Sequence, residues 1–149
     1  LSVAVSDSEQ EKLSTPVDLS GIHVLFVDDE ASARQSIGEV LSSFGAQVQM
    51  ASSVPEAVAE FEKSRPDVIV SDIAMPLEDG NSLMRRIREL SHGKGGDTPA
   101  VALTAYADSG SRELALSVGY KAYLAKPVDS YELAQTILRV TSKKEVLPA

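Results

Sequence analysis

The chain has 149 residues, 43% of them hydrophobic and 24% charged, which is the size and balance of a single folded domain with its own core. Its 22 acidic against 14 basic residues leave a formal net charge of -8, which argues against a surface built to bind the phosphate backbone of nucleic acid. The absence of Cys excludes a disulfide framework, a thiolate nucleophile and Cys-ligated zinc; no apolar run approaches the roughly 18 residues of a membrane span, and with no basic and apolar leader read at the amino end, a cytoplasmic location without membrane contact is the expectation.

Residues 1–20 are rich in Ser and acidic side chains and lack sustained periodicity, so they read as a linker or tail; the domain is expected over 21–141, with a short tail at 142–149. Residues 22–27 are a continuous apolar run, a first strand. Ala33, Ile37, Val40, Leu41 and Phe44 then share one helical face, which Gly45 terminates. Residues 46–51 predict a second strand, and Ser53 with Glu56 forms a capping box for a helix burying Val54, Ala57, Val58 and Phe61. At 67–71, Val68, Ile69 and Val70 run without alternation, as in a strand covered on both faces, and Leu83, Met84, Ile87 and Leu90 mark the following helix. Strands four and five fall at 99–103 and 121–125. Residues 108–118 between them carry only a thin apolar stripe, while Asp129 with Glu132 caps a last helix burying Leu133, Ala134, Ile137 and Leu138. Five alternating strand and helix pairs imply an α/β fold: a parallel sheet with helices on both faces, joined by right-handed crossovers.

Each of four strands runs into a chemically distinctive residue: Asp28 and Asp29 after the first, Asp72 after the third, Thr104 after the fourth, Lys126 after the fifth. In a parallel sheet those ends lie along one edge, where ligands bind near the reversal of strand order. Three carboxylates gathered there repel one another and require a cation. With no Cys or His nearby, an oxygen-only set suits magnesium rather than zinc. Every one of these residues also has an ordinary explanation. Asp28 and Asp29 precede a helix, where acids favour the positive end of the dipole; Asp72 fits an Asx turn; Lys126 fits a loop lysine; and Thr104 fits a cap. Their coincidence at one edge gives the functional reading weight, with Asp72 a candidate nucleophile for an aspartyl phosphate and Lys126 a counter-charge and phosphate-oxygen donor. His23 and His92 lie away from these ends and read as structural or surface residues.

Val27, Asp28, Asp29 and Glu30; Ser71 through Pro76 with Asp79 and Gly80; Leu103, Thr104 and Ala105; and Ala125, Lys126 and Pro127 together resemble the receiver domain of two-component response regulators, over about 21–140. The resemblance implies a flavodoxin-like fold with strand order 2-1-3-4-5. It implies that Asp72 is the phosphoacceptor and that Asp28, Asp29, Asp72 and the main-chain carbonyl of Ala74 hold magnesium, or manganese in its place. Thr104 and Lys126 would bind phosphoryl oxygens. Tyr123 matches the family's switch aromatic, which turns inward as Thr104 moves toward the phosphate; a strand aromatic partly packed in the core has the same sequence appearance. Such chemistry needs positioning and charge neutralisation more than acid and base groups, so no catalytic His is required. The small Ala105 leaves the phosphorus open, and Tyr106 is expected to shield it partly and lengthen the life of the acyl phosphate.

The implied partners are a histidine kinase or histidine phosphotransfer protein as donor and a downstream effector, with the region of 108–118 and Tyr123 as the readout face. No stand-alone enzyme is expected. A leading residue other than Met, a polar leading segment and only residues 141–149 after the last helix favour the receiver of a hybrid sensor histidine kinase, with a free-standing regulator as the alternative. Two readings from other classes compete: a docking module that is never phosphorylated, which has no need of both Asp72 and Lys126, and a magnesium-dependent phosphohydrolase, which needs a cap or long lid that loops this short do not provide. Nucleotide binding finds no G-x-x-x-x-G-K-[ST] or G-x-G-x-x-G run.

Overall fold

In the computed structural model, which describes residues 17–75, 77–90, 92–105 and 108–141, strands and helices alternate throughout. In order they are β1 (His23–Val27), α1 (Ala31–Ser43), β2 (Gln47–Ala51), α2 (Val54–Ser64), β3 (Val68–Asp72), α3 (Gly80–Arg88), β4 (Ala100–Thr104), α4 (Ser109–Ser117), β5 (Ala122–Ala125) and α5 (Ser130–Thr141). All strand pairs are parallel and the sheet order is β2-β1-β3-β4-β5, the expected flavodoxin-like arrangement.

Alternate residues on the central strands feed two cores. Leu25, Val27, Ile69, Ala100 and Ala102 pack with α2 and α3 through Phe61, Leu83, Met84 and Ile87. Val24, Phe26, Val68, Val70, Val101 and Leu103 face the other way, onto Leu41 of α1 and Leu133, Ala134 and Ile137 of α5. Burial on both faces explains why β3 and β4 read as unbroken apolar runs. Gly45 closes α1 at a φ of 102°, a left-handed position that glycine adopts without steric cost.

Three local expectations differ from the structure. Leu19, assigned to the leading tail, is fully buried and its N–H donates to the carbonyl of Phe44 at 2.8 Å, so the packed chain extends upstream of residue 21. Glu56 does receive the cap of Ser53, whose Oγ accepts from the Glu56 N–H. Its own carboxylate, however, accepts from the N–H and hydroxyl of Ser52, one residue earlier than a capping box requires. Leu138 is 37% exposed while Thr136 is buried, because the buried stripe of α5 turns away from Leu138 toward the sheet. The segments 1–16 and 142–149, and Tyr106, lie outside the described residues.

The strength of anchoring differs sharply between helices. α3 buries Gly80, Asn81, Leu83, Met84 and Ile87, whereas α4 buries Ala115 alone and exposes Leu114 and Leu116. No described helix is long and apolar enough to cross a membrane.

Candidate phosphoryl-accepting site

Asp28 leaves β1 with its N–H still donating to the Ala51 carbonyl, so the strand geometry extends one residue past the strand and fixes where the side chain points. Its Oδ1 accepts from the Glu30 N–H at 2.9 Å, and its main-chain carbonyl accepts from Arg34 Nη1 at 2.8 Å. Oδ2 is buried and has no hydrogen-bond donor. Asp72 is the last residue of β3 and is also buried, while Asp29 is exposed at the mouth. Carboxylate oxygens of Asp28, Asp29 and Asp72 all lie within 4.8 Å of one another.

Among the described residues, Lys126 is the cation paired with the carboxylates of this cluster. Lys126 Nζ stands 3.3 Å from Asp72 Oδ1 and 3.5 Å from Asp28 Oδ2. It is placed by the end of β5, where the Lys126 N–H donates to the Thr104 carbonyl at 2.8 Å; the peptide to Pro127 is cis. Burial pushes the Asp72 carboxyl above its ordinary value, and Asp28 and Asp29 push in the same direction against Lys126. For Lys126 burial alone favours the neutral amine, but Asp72 and Asp28 outweigh it and raise its pKa. The rise at Asp72 reflects mainly its burial, and the rise at Lys126 the carboxylates that surround it. The donor set is hard oxygen throughout and includes a buried carboxylate oxygen without a donor, which fits a divalent ion such as magnesium and not a thiolate or imidazole metal.

Thr104, the last residue of β4, is buried at the same edge, one position beyond the Leu103 that pairs with Asp72. Tyr123 of β5 pairs with Ala102 of β4 and packs, half-buried, on the core shared with α2 and α3. Ala74 lies in the exposed loop between β3 and α3, two residues past Asp72. His23 opens β1 at the opposite edge, and His92 falls in the loop before β4. The residues expected at the carboxyl edge are therefore brought together, and the two His are not.

Residues of the loop after β3 also shape the site. At Gly80, part of the motif that carries the resemblance, a Cβ would stand 2.5 Å from the Asp72 carbonyl oxygen, so only glycine lets α3 start this close to the end of β3. Asp79, next to it, accepts from the Ser82 N–H and caps α3. In the same loop, Glu78 takes a forked ion pair from Arg86, at 2.7 and 2.8 Å, and a hydrogen bond from the Ser82 hydroxyl.

The parallel sheet reverses at β1 and β3, and its buried carboxylates and lysine lie at that reversal, where α/β proteins of this class bind their ligands. The chain belongs to the response regulator receiver domain family, whose model matches residues 24–138, and it is a receiver domain of two-component signalling. It is 42% identical over 119 residues to a 14.6 kDa protein of Leptolyngbya boryana, covering 80% of this chain and 89% of that one. Hybrid signal transduction histidine kinase D of Dictyostelium discoideum is 34% identical over 84% of this chain, which spans 8% of that kinase. Among solved structures, the receiver domain of the sensor histidine kinase PA1611 of Pseudomonas aeruginosa, with magnesium in its active-site cleft, superposes with a TM-score of 0.74. That structure is 35% identical, over 82% of this chain and 98% of the other.

Proposed function

We propose that Asp72 is the phosphoacceptor, and that the protein takes its phosphoryl group from a phosphohistidine on a kinase or phosphotransfer protein. The observation that carries this reading is the position of Lys126 Nζ, between Asp72 Oδ1 at 3.3 Å and Asp28 Oδ2 at 3.5 Å, at the mouth of a carboxylate cluster. A carboxylate oxygen of Asp72 attacks phosphorus, the bond from phosphorus to the imidazole nitrogen breaks with its electron pair going to the ring, and an acyl phosphate forms. Lys126 and Thr104 bind the equatorial oxygens as charge shifts onto them.

Asp28, Asp29, Asp72 and the Ala74 carbonyl would hold magnesium, or manganese in its place, which when bound supplies charge neutralisation for the carboxylates and the incoming phosphoryl group. The magnesium in the cleft of the Pseudomonas receiver, on the same fold, supports that assignment. Asp28 orients the site through the Glu30 N–H and Arg34, and its second oxygen, which has no hydrogen-bond donor and lies 3.5 Å from Lys126 Nζ, would turn to the ion.

Readout passes through Thr104 and Tyr123 to α4, the weakly anchored helix, whose exposed Leu114 and Leu116 form the surface for an effector. The domain acts in the cytoplasm without direct contact to nucleic acid or membrane. Its likeness to a receiver region within a much longer hybrid kinase supports a parent of that kind.

Intact mass after incubation with a small phosphodonor and magnesium tests the proposal. One phosphoryl gain is expected, absent in Asp72→Asn and with EDTA. A gain that persists in Asp72→Asn assigns the chemistry to another carboxylate, and no gain with any donor leaves a docking module.

A further inference from the structure

Tyr120 lies in the turn between α4 and β5, six residues before Lys126, and has no part in the chemistry above. Its ring is buried in the core under α2 and α3, and its hydroxyl donates to the Gly80 carbonyl at 2.7 Å. Gly80 is the first residue of α3, and its N–H donates to the Ile73 carbonyl at 2.9 Å, closing the loop that follows Asp72. The contact is tight on every side. A Cβ on Gly80 would stand 2.5 Å from the Asp72 carbonyl oxygen, 3.0 Å from Ile73 Cα and 3.0 Å from the Tyr120 hydroxyl. The Ser71 hydroxyl, which lies beside the phenol, donates to the Asp72 carbonyl at 2.9 Å. Strand end, helix start and distant turn therefore meet at one buried point with no slack between them.

The same turn is tied to the other end of α3. Arg88, the last residue of that helix, donates from Nη2 to the Gly119 carbonyl at 2.7 Å and from Nη1 to the Gly96 carbonyl at 2.9 Å. A Cβ on Gly119 would come within 2.5 Å of Arg88 Nε. With both termini of α3 fastened to residues 119 and 120, displacement of that turn has to displace the start of α3, and with it the loop beside Asp72.

We propose that Tyr120 is a positioning residue for the metal-binding loop, its hydroxyl clamping the start of α3 to the end of β3 so that cation binding at the carboxylate cluster and the conformation of the α4–β5 turn are coupled. This rests on the reading of Asp28, Asp29 and Asp72 as the cation site and adds a second route to α4, separate from Thr104 and Tyr123. Because coupling is reciprocal, the loop and the turn must each respond to a ligand held by the other. A lost structural hydrogen bond alone would lower the stability of the fold but leave the cation affinity of the folded protein unchanged.

The test is Mn2+ binding followed by electron paramagnetic resonance on the full chain, for wild type, Tyr120→Phe and Asp29→Asn, with thermal melts alongside. Tyr120→Phe is expected to weaken Mn2+ about tenfold, the loss typical of removing a partner that orients a metal ligand, at temperatures where melting shows the variant folded. Wild-type affinity in folded Tyr120→Phe overturns the proposal. Absence of Mn2+ binding by the wild type overturns the cation site itself, whereas binding that Asp29→Asn weakens upholds that site whatever Tyr120→Phe does. Should Tyr120→Phe fail to fold, amide exchange in the wild type decides. Slowing at Gly119, Tyr120 and Lys121 together with residues 73–80 on adding Mn2+ supports the clamp, and slowing confined to 73–80 refutes it.

Discussion

Replacing Asp72 by Asn should stabilise the cation-free protein, although it removes an ion pair. At an effective dielectric of about 20, Lys126 at 3.3 Å attracts the Asp72 carboxylate by about 5 kcal/mol, and Asp28, within 4.8 Å, repels it by about 3.5 kcal/mol or more. Asp29 is exposed, so solvent reduces its repulsion to about 1–2 kcal/mol. The charge pairs nearly cancel, and burial of the carboxylate decides the sign, which is the direction in which its pKa moves. Asn keeps the volume and loses the burial cost, so a gain in stability is expected in EDTA. The sign with pH follows from the raised carboxyl. The advantage of Asn is complete above the folded-state pKa of Asp72 and disappears as pH falls below the ordinary value of 3.8, where the wild-type carboxyl is protonated in both states. Urea denaturation followed by circular dichroism is the assay, since the chain has no Trp. Magnesium should reverse the order, adding about 1.4 kcal/mol to the wild type at tenfold excess over its dissociation constant and nothing comparable to the variant. A loss of more than about 1 kcal/mol for Asp72→Asn in EDTA would refute the reasoning and make Lys126 the dominant partner.

Two further substitutions probe the loop between β3 and α3. Gly80→Ala, which by helix propensity alone gains about 1 kcal/mol, is expected instead to cost about 1–3 kcal/mol, because its Cβ meets the Asp72 carbonyl at 2.5 Å; a urea midpoint at or above that of the wild type would contradict the close approach. Leu77 is fully exposed at a φ of 70°, a left-handed position that Asn tolerates and Leu does not, so Leu77→Asn should raise stability by about 0.5–1 kcal/mol by the same measurement.

The sheet was legible because each central strand is buried on both faces and so carries a continuous apolar run, and because the site lies where those runs stop. Asp28, Thr104 and Lys126 are conspicuous for being polar immediately after Val27, Leu103 and Ala125, and Asp72 for following Val70 and Ser71 at the end of a buried run. What stayed hidden depends on partners distant in sequence. Leu19 sits between Asp18 and Ser20 in a segment without periodicity, and the Phe44 carbonyl and the core beneath α1 and α5 make it part of the domain. Tyr120 gives no periodic signal, since its partner Gly80 is 40 residues away. Arg34 reads as one more charged helix residue until its reach to the Asp28 carbonyl is seen. Leu138 was misplaced for a local reason: a stripe of apolar residues on α5 is wider than the face that the sheet covers.

The distribution of rigidity decides where a signal can go. Main-chain bonds continue one residue past three strands, from Asp28 to Ala51, Ile73 to Leu103 and Lys126 to Thr104, so the backbone that carries the functional side chains is held by the sheet itself. If Asp72 is phosphorylated as proposed, its carboxylate of charge -1 would become an acyl phosphate of about -1.5 to -2, beside an ammonium already shared by two carboxylates. The strand ends cannot relax to accommodate it without breaking those bonds. Accommodation must fall to side chains and to whichever element is least anchored. Five buried residues hold α3, and one, Ala115, holds α4. Since local opening is cheapest where fewest apolar contacts are lost, α4 is where the added charge does the least work against the fold, and a partner reading this switch should therefore read that face.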